Sequence, residues 1–330
     1  MVARRTASRN RAALTSLRLG LCCQFASEPI KFRTTTATAL LRLGRKQRLA
    51  RLAALCRENA EALRAALEFC AAHGIGAFRI NSQILPAKTH PAAGYRVGDL
   101  PDGADIIARF RACGDLARAR GIRLSFHPDQ FVVLNSPNPR TLEQSVAELV
   151  YQAEVAEWVG ADTINIHGGG AYGDKVTALR ALRDNIRRLP RAVSSRLTLE
   201  NDDKVYTPSD LLPVCAAAGV PMVYDVHHHR CLPDGLTVAE ATERAGHMEI
   251  RTALPPFQPP RGLVGAEAGA ASRLHQRGGF SGGVAGLAVD GRGGSEGQGA
   301  GRAPPAGRVG ARLSRGADGV RIGFPTRGET

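Results

Sequence analysis

Six short apolar runs recur between residues 18 and 225, and each of them ends on a polar side chain. They read RLGLCCQ (18–24), AFRIN (77–81), RLSFH (123–127), TINIH (163–167), RLTLEN (196–201) and PMVYD (221–225). Between them lie helical stretches rich in Ala, Leu and Arg, at 46–73, 104–120, 139–159, 174–189 and 208–218. Pro139 and the Pro208-Ser209-Asp210 triplet stand where helices start, and Gly74, Gly121, Gly160 and Gly219 stand where they end. Strands alternating with helices make βαβ units and a parallel sheet. A spacing of roughly 25–55 residues per unit suits either a doubly wound sheet or most of a (β/α)8 barrel. No G-x-G-x-x-G follows the first run, so nothing supports the dinucleotide-binding version of the former. A barrel opens all its strand ends on one mouth, where Gln24, Asn81, His127, His167, Glu200, Asn201 and Asp225 would meet. That placement favours an α/β fold of the TIM-barrel type over residues 18–246, with six βα units present.

The rest of the chain differs in character. Residues 1–17 are read as a disordered basic extension, a stretch that also resembles an organellar transit peptide or a start assigned too early. Residues 251–330 hold 20 of the 37 glycines and no lysine. With no lasting periodicity, residues 247–330 are expected to be a disordered Gly/Ala/Arg/Pro-rich tail. Such a composition is also what GC-rich coding DNA yields out of frame. Read one base later, the codons for MEIRTALPPFQPPRGL (248–263) permit Ser-Glu-Pro-His-Phe-His-Leu-Ser-Ser-Pro-Arg-Glu-Gly-Trp, which would make a seventh strand with polar ends. The net charge of +14 comes mostly from the two terminal regions, so it says little by itself about nucleic acid. Seven cysteines without a C-x-x-C pair are read as reduced thiols in a cytoplasmic protein. No apolar run reaches the ~18 residues of a membrane span.

A lone histidine at a strand end is more often structural than a ligand, so each motif is weak alone. Together, His127, His167, Glu200, Asp225 and His228 make a mixed imidazole–carboxylate cluster at successive strand ends. Such donors suit Mn²⁺, Zn²⁺ or Fe²⁺, and the lack of thiolates argues against a closed structural zinc. The number of donors suggests more than one ion, an arrangement suited to in-line phosphoryl displacement. His227 and His229 are expected to point elsewhere. Some of the acids after Glu200 could cap the helix that begins near Pro208.

The segments FRINSQILP, SFHPDQFVVLNSP, INIHGGGAYGDK, LTLENDDK and YDVHHH resemble, in that order, the signatures of the UV damage endonuclease (UvdE) family. The resemblance covers about residues 18–245. It implies a TIM barrel with a multi-metal site, most often Mn²⁺ with Zn²⁺ as a second choice, that cuts UV-damaged double-stranded DNA 5′ to photoproducts and opens excision repair. Carried over, the metal ligands are His127, His167, Glu200, Asp225 and His228, with Glu200, His127 and His167 catalytic. Gln130 and Phe131 match a lesion-probing pair whose second member is usually Tyr, and Lys175 and Lys204 are candidate phosphate contacts. A monomer without membrane contact is expected. The family draws further ligands from strands seven and eight. The shifted string resembles its seventh-strand segment, which implies loss of activity in the chain as written. The competing reading is a sugar isomerase-like metal-dependent barrel.

Overall fold

A computed structural model describes residues 18–246 and, for their backbone alone, residues 312–316 and 319–323. Residues 1–17 and most of 247–330, with the disorder expected for them, lie outside the described residues. Six parallel strands form one sheet in sequence order: β1 (Gly20–Cys22), β2 (Ala77–Ile80), β3 (Arg123–Phe126), β4 (Thr163–His167), β5 (Leu197–Glu200) and β6 (Met222–Val223). Each strand pairs with the next, and the register sets His167 opposite Glu200 and Asn165 opposite Thr198. The result is the six-stranded part of a TIM-barrel-like α/β fold. Among the described residues no strand pairs beyond β1 or β6.

The expected helices are present as α2 (Arg45–Ala72), α3 (Gly103–Ala119), α4 (Pro139–Val159), α5 (Lys175–Arg187) and α7 (Pro208–Ala218). The glycines read as stops carry positive φ at 74, 121, 160 and 219, where a side chain would be strained. Four short helices went unread: α1 (Ala37–Leu41), α6 (Arg191–Ser194), α8 (Val226–Cys231) and α9 (Val238–Gly246). Each is nine residues or fewer, too short to show a repeating apolar face.

Side chains alternate across a strand, so β2 to β5 each have one apolar row and one that carries polar residues. Phe78, Ile80, Leu124, Phe126, Ile164, Ile166, Leu197 and Leu199 join the hydrophobic core shared with the helices. The alternate positions are Arg79, Arg123, Ser125, Thr163, Asn165 and Thr198, and they lead along the other face towards the strand ends. Buried Asn59 in α2 ties two of the strand-end loops to the helix layer. Its amide takes a hydrogen bond from the Arg33 N–H at 2.6 Å and donates to the carbonyls of Arg33 at 2.9 Å and Ile84 at 2.8 Å. None of the seven cysteines is in a disulfide. Burial pushes the Cys56 thiol up to about 11 and those of Cys70, Cys113 and Cys215 up to about 12.

Within 247–330 the described backbone forms β7 (Arg312–Gly316) and β8 (Gly319–Gly323), an antiparallel hairpin in a second compact unit, Ala288–Thr330.

Candidate metal centre

Because all six strands are parallel, their C-terminal ends share one side of the sheet. His127 follows β3, His167 and Glu200 close β4 and β5, and Asp225 follows β6 as the N-cap of α8. Asp225 accepts hydrogen bonds from the amides of His227 at 2.7 Å and His228 at 2.9 Å. Capping thus turns the chain so that His228, three residues on, comes back over the strand end. His227 and His229 leave in other directions.

The five predicted ligands form two overlapping groups. His127, His167 and Glu200 offer donor atoms within 4.8 Å of one another, and so do Glu200, Asp225 and His228. Glu200 belongs to both. Its Oε2 lies 3.1 Å from His127 Nε2, while its Oε1 lies 3.9 Å from His167 Nε2 and 3.8 Å from His228 Nδ1. The imidazoles are crowded, with ring centres 4.9 Å apart for His127 and His167 and 5.5 Å for His167 and His228.

This donor set fits a cation. His127 Nδ1 lies 3.0 Å from the Pro128 carbonyl, and His228 Nδ1 lies 2.8 Å from the Asn201 carbonyl. A carbonyl only accepts, so both Nδ1 atoms carry the proton and each Nε2 keeps a free lone pair; for His228 the atom 3.8 Å from Glu200 is therefore the protonated Nδ1, and its ligating atom is Nε2. In the neutral ring, His127 Nε2 and Glu200 Oε2 are then two acceptors face to face, a contact that a proton or a metal ion must relieve. His167 Nε2 is buried with no hydrogen-bond partner. Donor atoms bound at ~2.1 Å to one ion lie roughly 3–3.5 Å apart, the range the closest pair occupies. Burial lowers the His167 pKa below its ordinary value and favours the neutral, ligating form. For Glu200 burial acts upwards, but a proton on His127 Nε2 would let that ring donate to the carboxylate, and this hydrogen bond with the electrostatic pull of the protonated imidazoles outweighs burial and holds the carboxyl below its ordinary range.

Two asparagines support this arrangement and were not assigned such a role from the sequence. Asn165, 7% exposed, donates through Nδ2 to Glu200 Oε2 and accepts from the Thr198 hydroxyl at 2.8 Å. Its position two residues before His167 on β4 was the available signal, since period two puts both on one face. Asn201 clamps Asp225 from both sides, accepting its N–H at 2.9 Å and donating to its carbonyl at 2.8 Å.

The remaining predicted residues lie around this centre. Gln130 and Phe131 sit exposed in the loop after β3, with Phe131 75% exposed. Asp129 shapes that loop by accepting the Phe131 amide at 3.1 Å. Lys175 is engaged with Asp210 at 2.7 Å and lies 5.5 Å from the centre of the Tyr206 ring, whereas Lys204 is exposed. The acids after Glu200 do not cap α7. Thr207 does so in a capping box with Asp210, and Asp202 instead accepts the amides of Lys204, Val205 and Tyr206. His229 is buried between Tyr224 Oη at 2.7 Å and Asp234 Oδ1 at 2.9 Å, a structural role. His227 is exposed.

The comparisons agree with this architecture. The family described as UV-endonuclease UvdE matches residues 17–276. A UV DNA damage endonuclease of Bacillus cereus (strain Q1) is 36% identical over 204 residues, which cover 60% of this chain and 62% of that protein. One of Bacillus pumilus (strain SAFR-032) is 39% identical over 170 residues, covering 49% and 50%. The crystal structure of SacUVDE superposes with a TM-score of 0.63 at 29% identity, covering 71% of this chain and 77% of that one. The chain thus spans about three fifths or less of the length of these curated relatives. With parallel strands in sequence order and histidines and carboxylates at their ends, this chain belongs to the UV-endonuclease UvdE family.

Proposed function

We propose that the strand ends of this barrel hold the reaction centre of a UV DNA damage endonuclease, which hydrolyses a phosphodiester on the 5′ side of a photoproduct in duplex DNA. The observation that carries the reading is Glu200, a single carboxylate shared between two groups of ligands. His127 and His167 with one side of Glu200 would hold one ion, and Asp225 and His228 with the other side a second, with Mn²⁺ the favoured metal. Bound there, the ions would supply Lewis-acid polarisation of a phosphodiester and acidify water. The protein's own part is orientation. The Pro128 and Asn201 carbonyls fix the tautomers of His127 and His228, and Asn201 fixes the backbone of Asp225. Gln130 and the exposed ring of Phe131 would meet the lesion, where an aromatic face can stack on unpaired bases. Lys204 is free to reach phosphate, while Lys175 would first have to leave Asp210.

The test is nicking of supercoiled plasmid, irradiated or not, with Mn²⁺ or with a chelator, on this chain and on one with the reading frame restored after about residue 245. Breaks that need both irradiation and Mn²⁺, with 5′ positions mapped to photoproducts, are expected and should vanish on His127→Ala. Interconversion of a ketose and an aldose without any nicking would overturn the reading in favour of an isomerase.

A further inference from the structure

We propose that Asn165 is a positioning residue for the metal centre, setting the orientation of the Glu200 carboxylate, and that Thr198 acts only through it. The inference rests on the metal reading above and extends it beneath the ligands. Glu200 must present Oε2 towards His127 and Oε1 towards His167 and His228 at the same time. A carboxylate on a flexible side chain does not keep one rotation about its last bond unless something holds it. Burial at 7% exposure leaves little water to do so.

Asn165 is placed to hold it. An ionised carboxylate only accepts, so the Asn165 amide must turn its NH₂ to Glu200 Oε2. That leaves Asn165 Oδ1 to accept, and the Thr198 hydroxyl donates to it at 2.8 Å. The sheet register makes the chain of contacts possible. Asn165 is the cross-strand partner of Thr198, as His167 is of Glu200, so all four share one face of adjoining strands. Thr198 is itself buried, at 3% exposure, and a flipped amide would face the carboxylate with its own oxygen. The Thr198 hydroxyl therefore selects one amide orientation, and that orientation selects one carboxylate rotation. Hydrogen bonds behind metal ligands of this kind change metal affinity by about 10–100-fold when removed.

The experiment measures Mn²⁺ affinity of the full chain by electron paramagnetic resonance of the free ion, beside the thermal midpoint of the metal-free protein. Asn165→Ala is expected to weaken binding about 10–100-fold. Thr198→Val, which removes only the hydroxyl, should weaken it in the same direction by less, and Thr198→Ser should bind as the unaltered chain does. The double variant Asn165→Ala/Thr198→Val should bind as Asn165→Ala alone. Unchanged affinity in both Asn165→Ala and Thr198→Val, with only the metal-free midpoint lowered, would show a merely structural pair and overturn the proposal. Additive losses in the double variant would overturn the claim that Thr198 acts through Asn165. Absence of any Mn²⁺ binding by the unaltered chain would instead remove the metal reading itself, and the proposal with it.

Discussion

Three consecutive histidines in this chain have three different surroundings, and those surroundings separate their roles. His228 turns towards Glu200 and Asp225, His229 is wedged between Tyr224 and Asp234, and His227 is exposed. His228→Ala is expected to weaken Mn²⁺ binding by at least the 10–100-fold typical of lost support around a ligand, with little change in metal-free stability. His229→Ala should leave Mn²⁺ affinity nearly intact but cost about 1–3 kcal/mol, because half-buried Tyr224 and Asp234 each lose a partner. His227→Ala should do neither. Denaturant unfolding and Mn²⁺ titration of the three variants would check this, and a stability loss confined to His227→Ala would contradict it. The pH dependence belongs at this scale too. Burial holds the His167 pKa below its ordinary 6.5, so between the lowered value and 6.5 the unfolded chain binds more protons than the folded one. Stability must therefore rise with pH in that window. The contribution is complete above 6.5 and is lost as pH falls through the lowered value. Glu200, also lowered, adds a loss of the same sign at more acid pH. In metal-free protein, His167→Gln should flatten the rise in unfolding free energy just below pH 6.5, and an unchanged slope would count against a buried neutral imidazole.

At the scale of elements, each strand end is only as well placed as the loop that follows it, and the glycine loop after β4 is the most constrained. Gly169 has φ +87, and a Cβ there would sit 2.2 Å from Asn135 Oδ1. Asn135 donates to the Gly170 carbonyl at 2.7 Å and to Tyr206 Oη at 3.1 Å, and Tyr206 donates to the same carbonyl at 2.9 Å. Gly169→Ala is therefore expected to cost about 1–2 kcal/mol from the left-handed backbone alone, and more from displacing Asn135. The loop carries His167 at its root, so Mn²⁺ affinity should fall along with the thermal midpoint. Gly173→Ala, also at positive φ but with open space around it, should show the backbone cost without the metal effect. The sequence made the motif visible but not its cause. Three glycines in a row fit a flexible turn equally well, and the clash that requires the middle one, Gly169, comes from Asn135, more than thirty residues away. The same limit explains what was and was not legible elsewhere. Strand ends and long helices could be read because period and punctuation are local. Asn165 lay in plain view beside His167, yet its role needs Thr198 and Glu200 from the neighbouring strand. Lys175 could be read as a free cation only until α7 placed Asp210 against it.

For the whole molecule, the decisive feature is that the six strands of the described sheet carry the candidate site at their C-terminal ends. The described sheet ends at β1, three residues long, and β6, two residues long. Short edge strands limit edge-to-edge association, but they offer little rigidity beyond themselves. Asp225 and His228 lie just past β6, so half of the shared centre rests on the least supported strand. On the far side of Glu200, His127 and His167 rest on β3 and β4, each paired on both flanks. The two groups of ligands should therefore differ, with the first Mn²⁺ held by His127, His167 and Glu200 and a second bound more weakly. Were two ions to cooperate there, loss of order at one would also disturb the alignment of the reacting phosphate, where a displacement of about 1 Å can cost a hundredfold in rate. The expected outcome is that the chain as written nicks UV-irradiated plasmid at least about a hundredfold more slowly than a chain with the frame restored after about residue 245. It should also bind one Mn²⁺ tightly where the restored chain binds more than one. His127→Ala should abolish nicking in the restored chain, and Asp225→Asn should remove its second ion while sparing the first. Equal rates and equal metal stoichiometry in the two chains would show that residues 247–330 already complete the barrel as they stand.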